Sequence, residues 1–320
     1  MTVETLKRLW KNDYIQTAIT IALLLLIVFG LYYGVQAALG TEYPALAVAS
    51  GSMLPTLNIG DLIIVQKIDP SQINANRLTG DILVYKKPLT NELIVHRAVK
   101  IELRGDVYWI TTRGDNNPGD DSSWPATQLV GKVIARIPYV GNLPLLFHSE
   151  TNMYIVFLVF LIILIILMLP FGSSDEEKTK ETEAVGEKKK LFMKIDWNLI
   201  VYIITNVIIV CLLIFSLWGS LTFWQPGATP NYATIRGIYA DLQFHESFSN
   251  VNTAYLSQGF LTYKIDCAVD GGTRLGVPTF SWFQLFLAIL IGFNVWKLYE
   301  FMKLRKSRKQ ADNVEEKLYA

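Results

Sequence analysis

The sequence predicts a membrane protein in which a mostly-β extracytoplasmic domain is carried on about four transmembrane helices, with both termini in the cytoplasm. Three observations predict it. Four long blocks carry no charged residue, lysine and arginine cluster between alternate blocks, and short Ile/Val-rich runs punctuated by turn formers follow the first block.

The uncharged blocks are Tyr14–Leu39, Met153–Phe171, Leu199–Trp224 and Pro278–Trp296. A helix needs roughly 20 apolar residues to cross a bilayer, and all four are near or above that length. They set expected spans at 14–39, 153–171, 197–224 and 278–296. The first two are dense in Leu, Ile, Val and Phe, whereas the last two carry Asn206 or Gln284 and Asn294. The first apolar run exceeds the roughly 7–15 residues of a cleaved secretory signal, so it reads as an uncleaved anchor. Of the 320 residues, 51% are hydrophobic.

Charge sets the orientation. Lys7, Arg8 and Lys11 precede the first span. Lys178, Lys180, Lys188, Lys189, Lys190 and Lys194 separate the second from the third, and Lys297, Lys303, Arg305, Lys306, Arg308 and Lys309 follow the fourth. Positive residues favour the cytoplasmic side. That places 1–13, 172–196 and 297–320 in the cytoplasm, with 40–152 and 225–277 outside it. The domain would face the exterior of a plasma membrane, or alternatively the lumen of the endoplasmic reticulum. Asp175–Lys190 has no apolar period and reads as a disordered linker.

Residues 40–152 hold strand-like runs at Asp61–Gln66, Asp81–Tyr85, Leu93–Leu103, Val107–Thr112 and Val130–Ile137. Turn formers between them predict a compact, mostly antiparallel sheet domain of about 100 residues. In 225–277 strand-like runs lie near Ile238–Phe244 and Phe260–Val269, without a catalytic pattern. A net charge of +1 with mixed signs leaves no nucleic-acid footprint. Cys211 and Cys267 fall in a span and in the second outer segment, so both read as free thiols.

Chemistry concentrates in three places. Ser50-Gly51-Ser52-Met53-Leu54-Pro55-Thr56-Leu57, followed by Gly60-Asp61, can hold a serine exposed on a Pro-constrained turn. His96, in the strand-like Leu93–Arg97 run, is of the residue type best suited to act as a general base, or else makes a structural hydrogen bond. The segment Arg113-Gly114-Asp115-Asn116-Asn117-Pro118-Gly119-Asp120-Asp121 could cap turns or orient a histidine, but it lacks the ligand pattern of a calcium loop. No metal or cofactor set emerges. Met53, Leu54 and Leu57 suit core packing as well as contact with lipid or substrate. His148 and His245 read as interface or surface residues.

Taken together, these segments resemble the signal peptidase I family, in its endoplasmic-reticulum and archaeal branch. The resemblance spans roughly residues 14–150: an N-terminal anchor, the Ser-Gly-Ser-Met-x-Pro-Thr box, Gly-Asp-Ile-Leu-Val-Tyr, His-Arg, and Gly-Asp-Asn-Asn…Asp, in that order. It implies a serine endopeptidase that removes signal peptides, with Ser52 as nucleophile and His96 as base where the bacterial branch has lysine. Asp121 matches the acid that orients the histidine, with its neighbour Asp120 as the alternative. Asp115 matches a second required acid. The Ser52 N–H and the Ser50 hydroxyl are the oxyanion candidates. Implied partners are signal-bearing precursors, the bilayer, and a translocon or other membrane subunits. Two alternatives stay open: a lysine base drawn from Lys86, Lys87 or Lys100, and an inactive scaffold that keeps the domain for binding. Residues 197–320 lie outside the resemblance, and the expectation for 225–279 is that they dock on the domain or recruit a partner.

Overall fold

A computed structural model describes residues 13–147, 197–224 and 232–319. The expected Met153–Phe171 span, the Asp175–Lys190 linker and His148 lie outside the described residues. Among those described, three helices are long and apolar enough to cross a membrane: Ile19–Leu39, Asn198–Trp218 and Trp282–Lys306.

The chain divides into two compact units. The first comprises the described part of Met1–Leu143 together with His245–Ser257 and Lys264–Phe280. It opens with helix α1 (Asp13–Leu39), whose side chains from Ile19 onward are almost all exposed and apolar, as a lipid-facing helix requires. The helix stops at Gly40, whose φ of +65° suits a residue without a Cβ. Lys67 N–H then bonds the Leu39 carbonyl, which ties the anchor directly to the sheet.

Seven strands follow: β1 (Ala45–Ala47), β2 (Leu62–Gln66), β3 (Ile82–Lys86), β4 (Leu93–Arg104), β5 (Val107–Arg113), β6 (Trp124–Pro125) and β7 (Leu129–Ile137). Every Ile/Val-rich run of the sequence forms a strand, within a residue or two at each end. A short helix α2 (Asn142–Phe147) closes this stretch. Strands β3, β4 and β5 pair antiparallel, with Leu83 opposite His96 and Arg97 opposite Arg113, and β7 pairs both β2 and β3. One core cluster gathers Val48, Met53, Leu57, Ile63, Val65, Ile82, Val84 and Val133. A second gathers Leu83, Tyr85, Ala98, Ile110 and Trp124. Met53 and Leu57 are therefore core residues, at 1% and 0% exposure.

The later chain returns to this sheet. Strands β8 (Ser220–Trp224) and β9 (Tyr232–Arg236) form their own hairpin, and helix α4 follows α3; their ranges are Trp197–Trp218 for α3 and Ile238–Glu246 for α4. Then come β10 (Thr253–Gly259), β11 (Thr262–Val269), β12 (Gly272–Arg274) and β13 (Thr279–Phe280). Thr279 of β13 pairs in parallel with Arg136 of β7, and Val277 is buried in the first core cluster. Arg136 links Asp61 to Thr279 through bonds of 2.9 and 2.7 Å.

In the second unit α3 packs on α5 (Trp282–Tyr319). Asn294 Nδ2 donates to Asn206 Oδ1 at 2.7 Å, while the Tyr202 hydroxyl donates to Asn294 Oδ1. Such amide contacts hold apolar helices together where no hydrophobic force distinguishes helix from lipid.

Four expectations need correction. The Ile238–Phe244 run is helix α4, because its buried positions Ile238, Asp241 and His245 recur at helical spacing. Two of the three are polar, which hid the helical stripe from an apolar pattern. His245 is accordingly buried, at 2% exposure. Helix α3, within the expected 197–224 span, ends at Trp218, and after Gly219 the Ser220–Trp224 segment, with Thr222, Phe223 and Trp224, turns to strand. Span four starts at Trp282 rather than 278, with Ser281 Oγ accepting from the Gln284 N–H.

Candidate active site

Ser52 sits in a 3-10 turn, Gly51–Met53, between β1 and β2. The turn is pinned from below by Met53 in the core and from the side by the segment after β5. Asn116 N–H donates to the Ser52 carbonyl (2.9 Å), and Asn116 Nδ2 donates to the Gly51 carbonyl (3.1 Å). A Cβ on Gly114 would lie 2.6 Å from the Ser52 carbonyl oxygen, so only glycine permits this approach.

His96 lies on β4 at 7% exposure. Its Nε2 is 3.1 Å from Ser52 Oγ, and its Nδ1 is 2.6 Å from Asp121 Oδ2. Thr112 Oγ1 donates to the same carboxylate oxygen at 2.7 Å and in turn accepts from Trp124 Nε1 at 3.1 Å. Partial burial raises the Asp121 pKa, but hydrogen bonds from His96 and Thr112, with the His96 and Lys87 charges, outweigh it and leave it below the ordinary carboxylate value. Asp121 is thus an acceptor near neutral pH. The neutral imidazole must carry its proton on Nδ1, and the Nε2 lone pair faces the serine hydroxyl.

Asp120 and Asp115 sit elsewhere. Asp120 contacts Arg113 at 3.5 Å and is exposed. Asp115, with its side chain 4% exposed, receives Arg97 Nε and Nη2 at 2.8 Å each and the Thr56 hydroxyl at 2.5 Å. Burial raises its pKa, and the Arg97 bonds and charge, with Thr56 and the Arg274 charge, more than reverse that. His96 and Arg97 are adjacent in a strand, so their side chains leave on opposite faces. One face meets Asp121 and the other meets Asp115.

Ser50 Oγ is 3.3 Å from Ser52 Oγ. Among the described residues Ser52 Oγ has two side-chain partners, His96 and Ser50, and neither Lys86, Lys87 nor Lys100 is one; Lys100 pairs with Glu102. Asn116, Thr112 and Trp124 were not picked out from the sequence. Nothing in their residue types marks them, since each acts by position. Arg97 was legible in principle, because a charged residue beside a strand histidine needs a partner on the other face.

No family model matches the chain. Curated relatives do. The signal peptidase complex catalytic subunit SEC11 of Metarhizium acridum is 32% identical over 137 residues, 78% of that protein and 40% of this chain. The chain belongs to the signal peptidase family. Its Pyricularia oryzae relative of the same name is 32% identical over 146 residues, covering 80% of that protein. The human catalytic subunit SEC11C is 29% identical over 154 residues, 78% of that protein and 45% of this chain. This member of the signal peptidase family is therefore a membrane peptidase in which more than half of the chain lies outside the aligned region.

Proposed function

We propose that the protein removes signal peptides from membrane-inserted precursors by a serine mechanism on the extracytoplasmic face. What carries this reading is the continuous relay Ser52 Oγ, His96 Nε2, His96 Nδ1, Asp121 Oδ2, with spacings of 3.1 and 2.6 Å. Ser52 Oγ attacks the scissile carbonyl while Nε2 takes its proton. Asp121 stabilises the resulting imidazolium, and Nε2 then protonates the leaving amine. Water, deprotonated by the same nitrogen, hydrolyses the ester and regenerates Ser52. The Ser52 N–H lies in the first turn of its short helix and has no acceptor within it, which leaves it and the Ser50 hydroxyl to receive the oxyanion.

Placement supports the substrate. Ser52 follows Leu39 by about a dozen residues, at most ~40 Å of extended chain, so the nucleophile stays near the bilayer surface where a signal peptide's cleavage site emerges. The family resemblance implies small residues such as Ala before the cut. The lysine and arginine distribution supports four spans with both termini cytoplasmic. The relatives favour the endoplasmic reticulum over the plasma membrane named first from the sequence. By name they are subunits of a complex, which supports membrane partner subunits here too.

The test is reconstitution of the full chain in liposomes with a signal-bearing precursor, mapping the new N-terminus. Ser52→Ala should abolish cleavage and leave the melting temperature unchanged. Cleavage persisting in purified Ser52→Ala would overturn the serine mechanism, and full activity in His96→Ala would return the base to a lysine.

A further inference from the structure

Behind the nucleophile turn, and lined by neither Ser52 nor His96, lies an open cleft of about 840 Å³. One wall is residues 76–78 and 113–118 of the peptidase sheet. The other is residues 248–250 and 269–271 with Arg274, from the segment outside the family resemblance. Both walls belong to the same compact unit. The Leu275 N–H bonds the Leu78 carbonyl and the Leu275 carbonyl accepts from Arg97, which fixes the second wall against the first.

The cleft is cationic. Arg77, Arg113 and Arg274 line it against Asp115 and Asp270; Arg113 is matched by Asp120 and Asp115 by Arg97, which leaves Arg77 and Arg274 facing Asp270. Arg274 is the telling residue. It is 5% exposed with the Cys267 thiol and the Asp115 charge beside it, yet among the described residues its Nε and Nη2 have no oxygen or nitrogen partner. A buried guanidinium with unmade bonds is costly unless an anion completes it. The remaining lining includes the amides of Asn117 and Asn250, a residue type that suits a peptide backbone. The volume is far larger than a single small anion needs.

We infer that this cleft docks an acidic peptide segment, namely the mature part of a precursor just beyond the scissile bond. The inference rests on the proposed signal-peptide cleavage. The two sides of the cut differ in chemistry: the upstream side is the apolar signal, which stays in lipid, so carboxylates can only come from the downstream side. The Gly114–Asn117 turn forms part of the wall and also holds the Ser52 and Gly51 carbonyls, so a docked segment lies one turn away from the reacting bond.

Two measurements on the full chain in liposomes test this. In the first, fluorescent precursor peptides carrying two glutamates shortly after the cleavage site, or two glutamines instead, are titrated against the Ser52→Ala protein. The glutamate peptide should bind roughly tenfold tighter at low salt, an advantage that fades as salt rises. Arg274→Gln and Arg77→Glu should each erase most of it. Arg77 is exposed, so its reversal keeps the test readable if Arg274→Gln fails to fold. Equal binding of the two peptides, or a preference that survives Arg77→Glu, overturns the cleft assignment. In the second, cleavage by the active protein should show the same preference in KM, and Arg77→Glu should raise KM for the glutamate precursor more than for the glutamine precursor. Tighter glutamate binding with no KM difference overturns the precursor as occupant and points to an acidic segment of a partner subunit. A failure of the serine mechanism reads out separately, as cleavage by Ser52→Ala.

Discussion

Asp115 and Asp121 are six residues apart in one turn, yet they face different partners in different surroundings. Asp121 touches His96 and is half-buried; Asp115 touches Arg97 and is enclosed. Asp121→Asn keeps the shape but no longer fixes the tautomer that leaves Nε2 free. It should cut kcat by roughly 10⁴ with little change in melting temperature. Asp115→Asn leaves the Arg97 charge buried without its counter-ion, and should destabilise the protein by about 3–5 kcal/mol. The pH dependence has a definite sign. Because the Asp115 pKa is lowered in the fold, its contribution is complete above the ordinary carboxylate value of about 4 and is lost as pH falls through the depressed native value. Thermal melts from pH 7 to pH 3 should therefore show the gap between wild type and Asp115→Asn narrowing toward the acid end. A gap of constant size across that range would rule the ion pair out as the cause. The sequence suggested two acids with different duties, but only the alternation of His96 and Arg97 across β4 explains which acid does which.

Among the elements, the turn from Gly114 to Asn117 has the most consequence for its length. It leaves β5, grips the Ser52 loop through two Asn116 bonds, and delivers Asp121 to His96. Gly114→Ala would drive a methyl into the Ser52 carbonyl, whereas a Cβ on Gly119 meets nothing within 4 Å. Gly114→Ala should lower kcat by about 10²-fold or more, since small misplacements of a reacting group are costly. Gly119→Ala should be near neutral, and equal losses in both variants would refute the steric argument. The strands themselves were legible because a half-buried strand declares itself by β-branched residues between turn formers, as in Asp81–Tyr85. Helix α4 was not, since its buried stripe runs through Asp241 and His245 and apolar periodicity cannot register polar side chains that are satisfied inside a fold. A similar limit hid Thr112, whose hydroxyl matters only because β5 sets it beside Asp121.

For the molecule as a whole, the peptidase sheet is completed by chain from beyond the region that resembles the family. Val277 sits in the core beside Met53 and Leu57, Leu275 accepts from Arg97, and Thr279 accepts from the Arg136 that neutralises Asp61. Docking of the second outer segment was an expectation from its position alone. No pattern in the sequence pairs Thr279 with Arg136, because a single parallel contact across 143 residues has no local signature. The energetic consequence is specific. Removing residues 197–320 empties the Val277 socket, worth about 1–2 kcal/mol of apolar burial. It also strips one partner each from two buried arginines, at roughly 1–3 kcal/mol apiece. Against a net stability of about 5–15 kcal/mol for a domain, the truncated chain should melt well below the full one. It should also lose cleavage through instability rather than through a change in KM. Thr279→Val in the full chain isolates one of these contacts, since it keeps the shape and every span while denying Arg136 its acceptor. It should cost about 1–3 kcal/mol in a thermal or denaturant melt. A truncated protein as stable as the full chain, together with a silent Thr279→Val, would mean that the peptidase sheet is complete without the returning segment.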